Sequence, residues 1–130
     1  MNKTLLVLAA IGFANIVSAQ TAIGEVPHIR NGLIHVGMAR EIADKCSSLD
    51  GRTLRGLNFL LELKRYAEGQ GFSDAEIDDF IDNKPERRRL EAIARAQLQN
   101  LGAVEDQEAT YCSIGRDQMK RNTRVGWLLR

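Results

Sequence analysis

Two cysteines 66 positions apart, Cys46 and Cys112, constrain this chain more than any other feature. Cys46 closes a run in which Ile34, Met38, Ile42 and Cys46 recur every four residues, with Leu49 one short turn further on. That spacing places the five on one stripe of a helix within Asn31–Leu49. Cys112 is in phase with Ile114 and Met119 near the far end of the chain. A bond between the two therefore staples the first helix to the last. Neither cysteine sits in a C-x-x-C motif, and a thiol on an apolar stripe is inert, so a structural disulfide is expected rather than a redox pair.

The compartment supports that bond. Met1-Asn2-Lys3 is a short basic start, and Thr4 to Val17 is an apolar run broken by Gly12 and Asn15. Ser18-Ala19 then provides a small-residue exit. This pattern is a signal peptide over residues 1–19, cut before Gln20. A spanning helix needs about 20 apolar residues, and this run is shorter. The expected product is a periplasmic or secreted single domain, residues 20–130, in an oxidising compartment where paired cysteines bond. The 18 basic and 17 acidic residues become 17 of each once Lys3 is removed. A neutral total argues against nucleic acid as a partner.

The mature chain reads as all-α, a small bundle of four to five helices. Gln20 to Arg30 reads as an irregular lead-in with Gly24 and Pro27 as breakers, and Asn31 as the first N-cap. Glu41 and Lys45 are spaced as an ion pair on its outer side, and Gly37 marks a close approach by another backbone. A second helix, Arg52 to Glu68, is apolar at Leu54, Leu57, Phe59, Leu60, Leu61 and Leu63, a face wide enough for more than one neighbour. It stops at Gly69-Gln70-Gly71. Ser73 and Glu76 form a capping box for a short third helix, with Phe72 stapling onto Ile77. Pro85 then implies a kinked or broken entry into a longer helix ending near Leu101, with Gly102 as its cap. Gln107 to Arg121, capped by Asp106, is the last helix, and Val125 to Leu129 forms an apolar tail.

No catalytic motif, cofactor fingerprint or metal-ligand spacing emerges, so no catalytic, cofactor-binding or metal residue is assigned and the reading leans away from an enzyme. His28 and His35 lack a completing H-E-x-x-H arrangement. The acidic cluster Asp74, Glu76, Asp78, Asp79 and Asp82 has no central glycine for a calcium loop and suits a helix N-terminus. Arg87-Arg88-Arg89 fans out around a helix rather than forming one patch. Arg116, Lys120 and Arg124 recur every four residues with Trp127 following, a candidate interaction face for an anionic envelope or membrane surface.

Several phrases resemble a family of small exported bacterial proteins known only as a domain of unknown function. They are Glu25-Val26-Pro27, Glu41 to Cys46, Gly71 to Ile77, Tyr111 to Arg116 and Gly126 to Arg130. The resemblance implies a helical periplasmic protein with paired cysteines and supplies no reaction. The expected function is non-enzymatic binding of another periplasmic or envelope protein. The alternatives are a small periplasmic chaperone or stress protein, and a surface binder acting through the C-terminal basic face.

Overall fold

A computed structural model describes residues 21–130; the signal peptide expected at residues 1–19 lies outside the described residues. One 3₁₀ turn, Ile23–Glu25, leads into α1 (Pro27–Lys45), α2 (Thr53–Gly69), α3 (Asp74–Asp82), α4 (Lys84–Asn100), α5 (Glu108–Lys120) and the one-turn α6 (Arg124–Trp127). The architecture is all-α, as the periodicity requires, with an isolated bridge between Gly51 and Leu129.

The cysteine stripe is the centre of the core. Ile34, Met38, Ile42, Cys46 and Leu49 are all buried, and Cys46 bonds Cys112 across a Cα–Cα distance of 5.2 Å. Leu90, Ala94 and Leu98 of α4 and Tyr111 and Ile114 of α5 complete this cluster, together with Val125, Leu128 and Leu129. A second, smaller cluster gathers Ile23, Ile29, Ala67, Phe72 and Ile77, and Leu33 and Phe80 pack against both. The close approach expected at Gly37 is made by α4: a β-carbon there would meet the Ala94 methyl at 3.1 Å.

Several local expectations are corrected. Asn31 is not a cap, because α1 begins four residues earlier at Pro27, whose fixed φ and missing N–H suit the first helical turn. The lead-in is ordered as a 3₁₀ turn, and Gly24 and Pro27 do not keep it irregular. On the outer side of α1 the ion pair is Arg40–Asp44 at 3.9 Å, in place of Glu41–Lys45. Asp106 has φ 63° and does not cap α5, whose N-cap residue is Gln107 without a side-chain hydrogen bond. The broad leucine face of α2 is half used: Phe59, Leu63 and Ala67 are buried, while Leu54, Leu57, Leu60 and Leu61 are exposed.

Other expectations hold. The Ser73–Glu76 capping box is complete, with Ser73 N–H donating to Glu76 Oε2 at 2.7 Å. The break before α4 falls at Asn83, which ends α3 and caps α4 by accepting from the Glu86 amide at 3.0 Å. Gly102 takes φ +106° as the turn after α4. The apolar tail docks through a route with no local sequence signal. Asp50 and Arg130 exchange both backbone hydrogen bonds at 2.9 Å, and Arg52 N–H donates to the Leu128 carbonyl at 2.7 Å. The α1–α2 connection thus clamps the last residues of the chain, a few positions from the disulfide.

A bond closing a 66-residue loop removes chain entropy from the unfolded state worth about 4 kcal/mol, less any strain. Reduction is expected to lower the melting temperature by on the order of 10 °C, read by circular dichroism with and without a phosphine reductant. An unchanged melting temperature would show that the terminal helices hold together without the bond.

Candidate binding groove and the C-terminal basic corner

Four helices meet without closing. α2 and α4 both pack on α1, and α3 packs on both of them. The space they enclose is a groove of about 570 Å³. Its interior is apolar: Ile29, Leu33 and Val36 from α1, Leu63 from α2 and Leu90 from α4, with Leu60 at the lip. Ile77, Phe80 and Ile81 of α3 and Ile23 of the 3₁₀ turn also line it. Charged groups rim it, with Arg87, Glu91 and Arg95 spaced by four along α4, Lys64 on α2, and Arg40, Glu41 and Asp44 on α1. A concave apolar site with a few oriented polar groups is the usual form of a ligand pocket, and this volume lies within the usual range of roughly 300–1,000 Å³.

The groove exists because of how the helices are spaced. Gly32 lets α2 come close to α1, since a β-carbon there would sit 2.9 Å from both Leu63 methyls. Gly37 does the same for α4. With both neighbours drawn onto α1, α2 and α4 stand on either flank of the Leu33–Val36 segment. A smaller depression of about 330 Å³, lined by Thr21, Ala22 and Asn83 among others, shares Ile23 and Phe80 with the groove.

The four residues singled out at the C-terminus are partly separated. α5 ends at Lys120, the chain turns through Asn122 at φ 52°, and Thr123 caps a new helix by accepting from the Gly126 amide at 3.1 Å. The four-residue spacing of Arg116, Lys120 and Arg124 therefore does not lie on one helix face. Arg116 donates to Ser48 Oγ at 2.9 Å, beside the disulfide. Arg124 stands over the Phe59 ring at 4.6 Å and the Trp127 ring at 4.9 Å. Arg55 of α2 joins them, 5.0 Å from the Trp127 ring and donating to the Trp127 carbonyl at 3.0 Å. Arg55 was missed by sequence reasoning because it lies 72 residues from Trp127.

Several other chemistry-bearing residues have structural partners. Ser47 donates through its amide, at 2.7 Å, and its hydroxyl to Glu108, which holds that carboxyl below the usual range. Glu108 lies with Cys46 and Cys112 in a group of metal-ligating type, but both sulfurs are committed to the disulfide. Of the arginine run, Arg89 pairs with Glu86 at 2.7 Å and with Glu25 at 3.0 Å, and Arg87 donates to the Ile81 carbonyl at 3.1 Å. Hydrogen bonding from Arg89 also holds the Glu86 carboxyl low. His28 packs on Tyr66, with ring centroids 4.4 Å apart.

His35 is separate from His28 and half-buried. Burial first, and then the Arg124 charge, push its pKa below the ordinary 6.5. The unfolded chain therefore takes up this proton before the folded one does. The associated stability is present above the ordinary pKa and is lost as pH falls from there through the lowered folded value. His35→Gln is expected to flatten the fall in melting temperature between about pH 7 and 5, measured by thermal scans across that range. An unaltered slope would mean that another group titrates there.

No curated protein and no solved structure matches this chain. A family model described as a family of unknown function, DUF5333, matches residues 21–130. That span takes in all six helices, both cysteines, the groove and the C-terminal corner. The chain belongs to DUF5333, a family of unknown function.

Proposed function

We propose that the protein is a non-enzymatic binding module of the cell envelope, exported to the periplasm, which receives an amphipathic helix of a partner protein in the groove between α1, α2, α3 and α4. The observation that carries this reading is the apolar interior of about 570 Å³ framed by charged rims. The groove follows α1 from Ile29 to Asp44, which at 1.5 Å per residue is about 22 Å, or four helical turns. Apolar anchors at i, i+3, i+4 and i+7 of a partner helix match such a slot.

The rim specifies the partner further. Arg87, Glu91 and Arg95 present alternating charge at helical spacing along one edge, and none of the three has a carboxylate or cationic partner within 4 Å among the described residues. A ligand helix with acid, base and acid at i, i+4 and i+8 on its flank complements that edge. Rim charges of this kind set orientation and association rate more than affinity.

Ile81 and Leu60 stand at the groove lip and are exposed, so changing them leaves the core intact. A photo-crosslinking residue placed at Leu33 in the exported protein should capture one partner in its native host. Ile81→Arg and Leu60→Glu should each reduce that capture at least about tenfold, about 1.4 kcal/mol of binding, with the melting temperature unchanged. Leu101→Arg, exposed and outside the groove, serves as the control. Capture that survives both lip substitutions would remove the groove from the binding site. Reproducible turnover of a small substrate, lost on a point substitution, would contradict the non-enzymatic reading.

A further inference from the structure

The disulfide has an apolar surrounding and a polar one. Cys46 and Cys112 share a core cluster with Ile42 and Ile114. Ser48, Glu108 and Arg116, all exposed, gather at the same bond. Ser48 Oγ lies 3.3 Å from Cys46 Sγ and 3.8 Å from Cys112 Sγ, and Arg116 donates to that Oγ at 2.9 Å. A disulfide sulfur carries no proton, so in both sulfur contacts the hydroxyl is the donor. With a guanidinium on one of its lone pairs, the hydroxyl is held with its proton toward the sulfurs. The apolar stripe of α1 gives no sign of this, because Arg116 is 68 positions from Ser48.

A donor at this place bears on how the bond opens. A disulfide is reduced by a thiolate that attacks one sulfur while the other departs as a thiolate. A hydroxyl donor backed by a cation stabilises the departing thiolate, which makes it a better leaving group. Two observations agree on which sulfur plays which part. Cys112 is 7% exposed and Cys46 0%, so Cys112 is nearer the solvent from which a reductant comes. Ser48 is closer to Cys46 Sγ, the sulfur that would leave. Glu108, with an oxygen within 4.8 Å of both sulfurs, is the opposing charge, and its carboxylate is taken up by the Ser47 amide and hydroxyl.

From this arrangement we infer that the Cys46–Cys112 bond is a redox-sensitive staple, opened by a dithiol while the domain is folded. One thiolate of the dithiol attacks Cys112 Sγ. A bond forms between those two sulfurs, the Cys46–Cys112 bond breaks, and its electron pair leaves on Cys46 Sγ beside the Ser48 hydroxyl. The second thiolate of the reductant then attacks the first, closing a disulfide in the reductant and releasing Cys112 as a thiolate. Two electrons and two protons pass from the dithiol to the two cysteines. The Asp50–Arg130 backbone pair is untouched by this exchange. Redox state thus sets how firmly α5 and the tail are held on α1.

Disulfide-intact protein spanning residues 20–130 is treated with dithiothreitol in native buffer and quenched with an alkylating reagent. The reduction rate is expected to rise in proportion to dithiothreitol. A rate that levels off at the unfolding rate, measured separately in denaturant, would show that the bond opens only after unfolding and would overturn the inference. Brief exposure to glutathione, then alkylation and peptide mass mapping, should place glutathione on Cys112 and the alkyl group on Cys46; the reverse assignment would also overturn it. Ser48→Ala and Arg116→Gln, both at exposed positions, should each shift the equilibrium with glutathione toward the disulfide by about threefold or more. That equilibrium does not depend on how easily a reductant reaches the bond. Lys120→Gln, exposed on the same helix, should leave it unchanged. The same equilibrium in all three variants and the parent would remove Ser48 and Arg116 from any such role and the inference with them.

Discussion

α1 is packed along most of its length: α2, α4, α5 and α6 all pack on it, while α3 is held by α2, α4 and the 3₁₀ turn. Toward its C-terminal half, Ile34, Met38 and Ile42 are buried among residues of α4, α5 and the tail. Toward its N-terminus, Ile29 belongs to the second cluster with α2 and α3 residues, and Leu33 touches both clusters. A helix surrounded in this way needs anchors at the end where few large side chains are available. Residues 21–130 include few aromatics, and α5 brings Tyr111 and Ile114 as its large buried apolar side chains. The Cys46–Cys112 bond and the Asp50–Arg130 backbone pair stand at that end, so the last two helices are held covalently and by hydrogen bonds as well as by burial.

The same arrangement leaves α2 with less to hold it. It is anchored by Phe59, Leu63 and Ala67, while its remaining leucines face a groove or solvent. In a core that had to close on itself those leucines would lie inside, each worth about 1.5–3 kcal/mol if fully buried. Their exposure, and the unfilled space beside them, is the feature of this fold that packing alone does not require. The groove is the surface on which the proposed binding of a partner helix rests.

Much of the fold was legible in the residues. Period-four burial from Ile34 to Cys46, the Ser73–Glu76 box and the break before Pro85 are local patterns whose physics needs only neighbours in sequence, and the cysteine pairing followed from there being two cysteines in the chain. Asn31 and Asp106 misled because each has the chemistry of a cap while the backbone made a different choice: Pro27 started α1 earlier, and Asp106 entered a left-handed turn. The recurrence of Arg116, Lys120 and Arg124 looked like one face because nothing before Arg124 marks the turn at Asn122 as strongly as a glycine or proline would. The groove was not legible at all. Its walls come from four helices, and which leucines of α2 face a neighbour depends on how far apart α2 and α4 stand on α1. The breadth of the α2 apolar face was the available signal, and the neighbours it called for are α1 and α3. It could not say which leucines of α2 stay exposed.

α1, bonded to α5, is the stable hub, and α2 is held on it more weakly than α4 is. Amide hydrogen exchange on the disulfide-intact domain tests it directly, because exchange ranks segments by their opening free energy. The slowest amides are predicted in α1 from Ile34 to Ile42 and in α4 from Ala94 to Leu98, with α2 opening at a lower free energy as a unit. Protection in α2 equal to that of α1 would contradict the account, and with it the reading of the groove as a surface left open at a cost in stability.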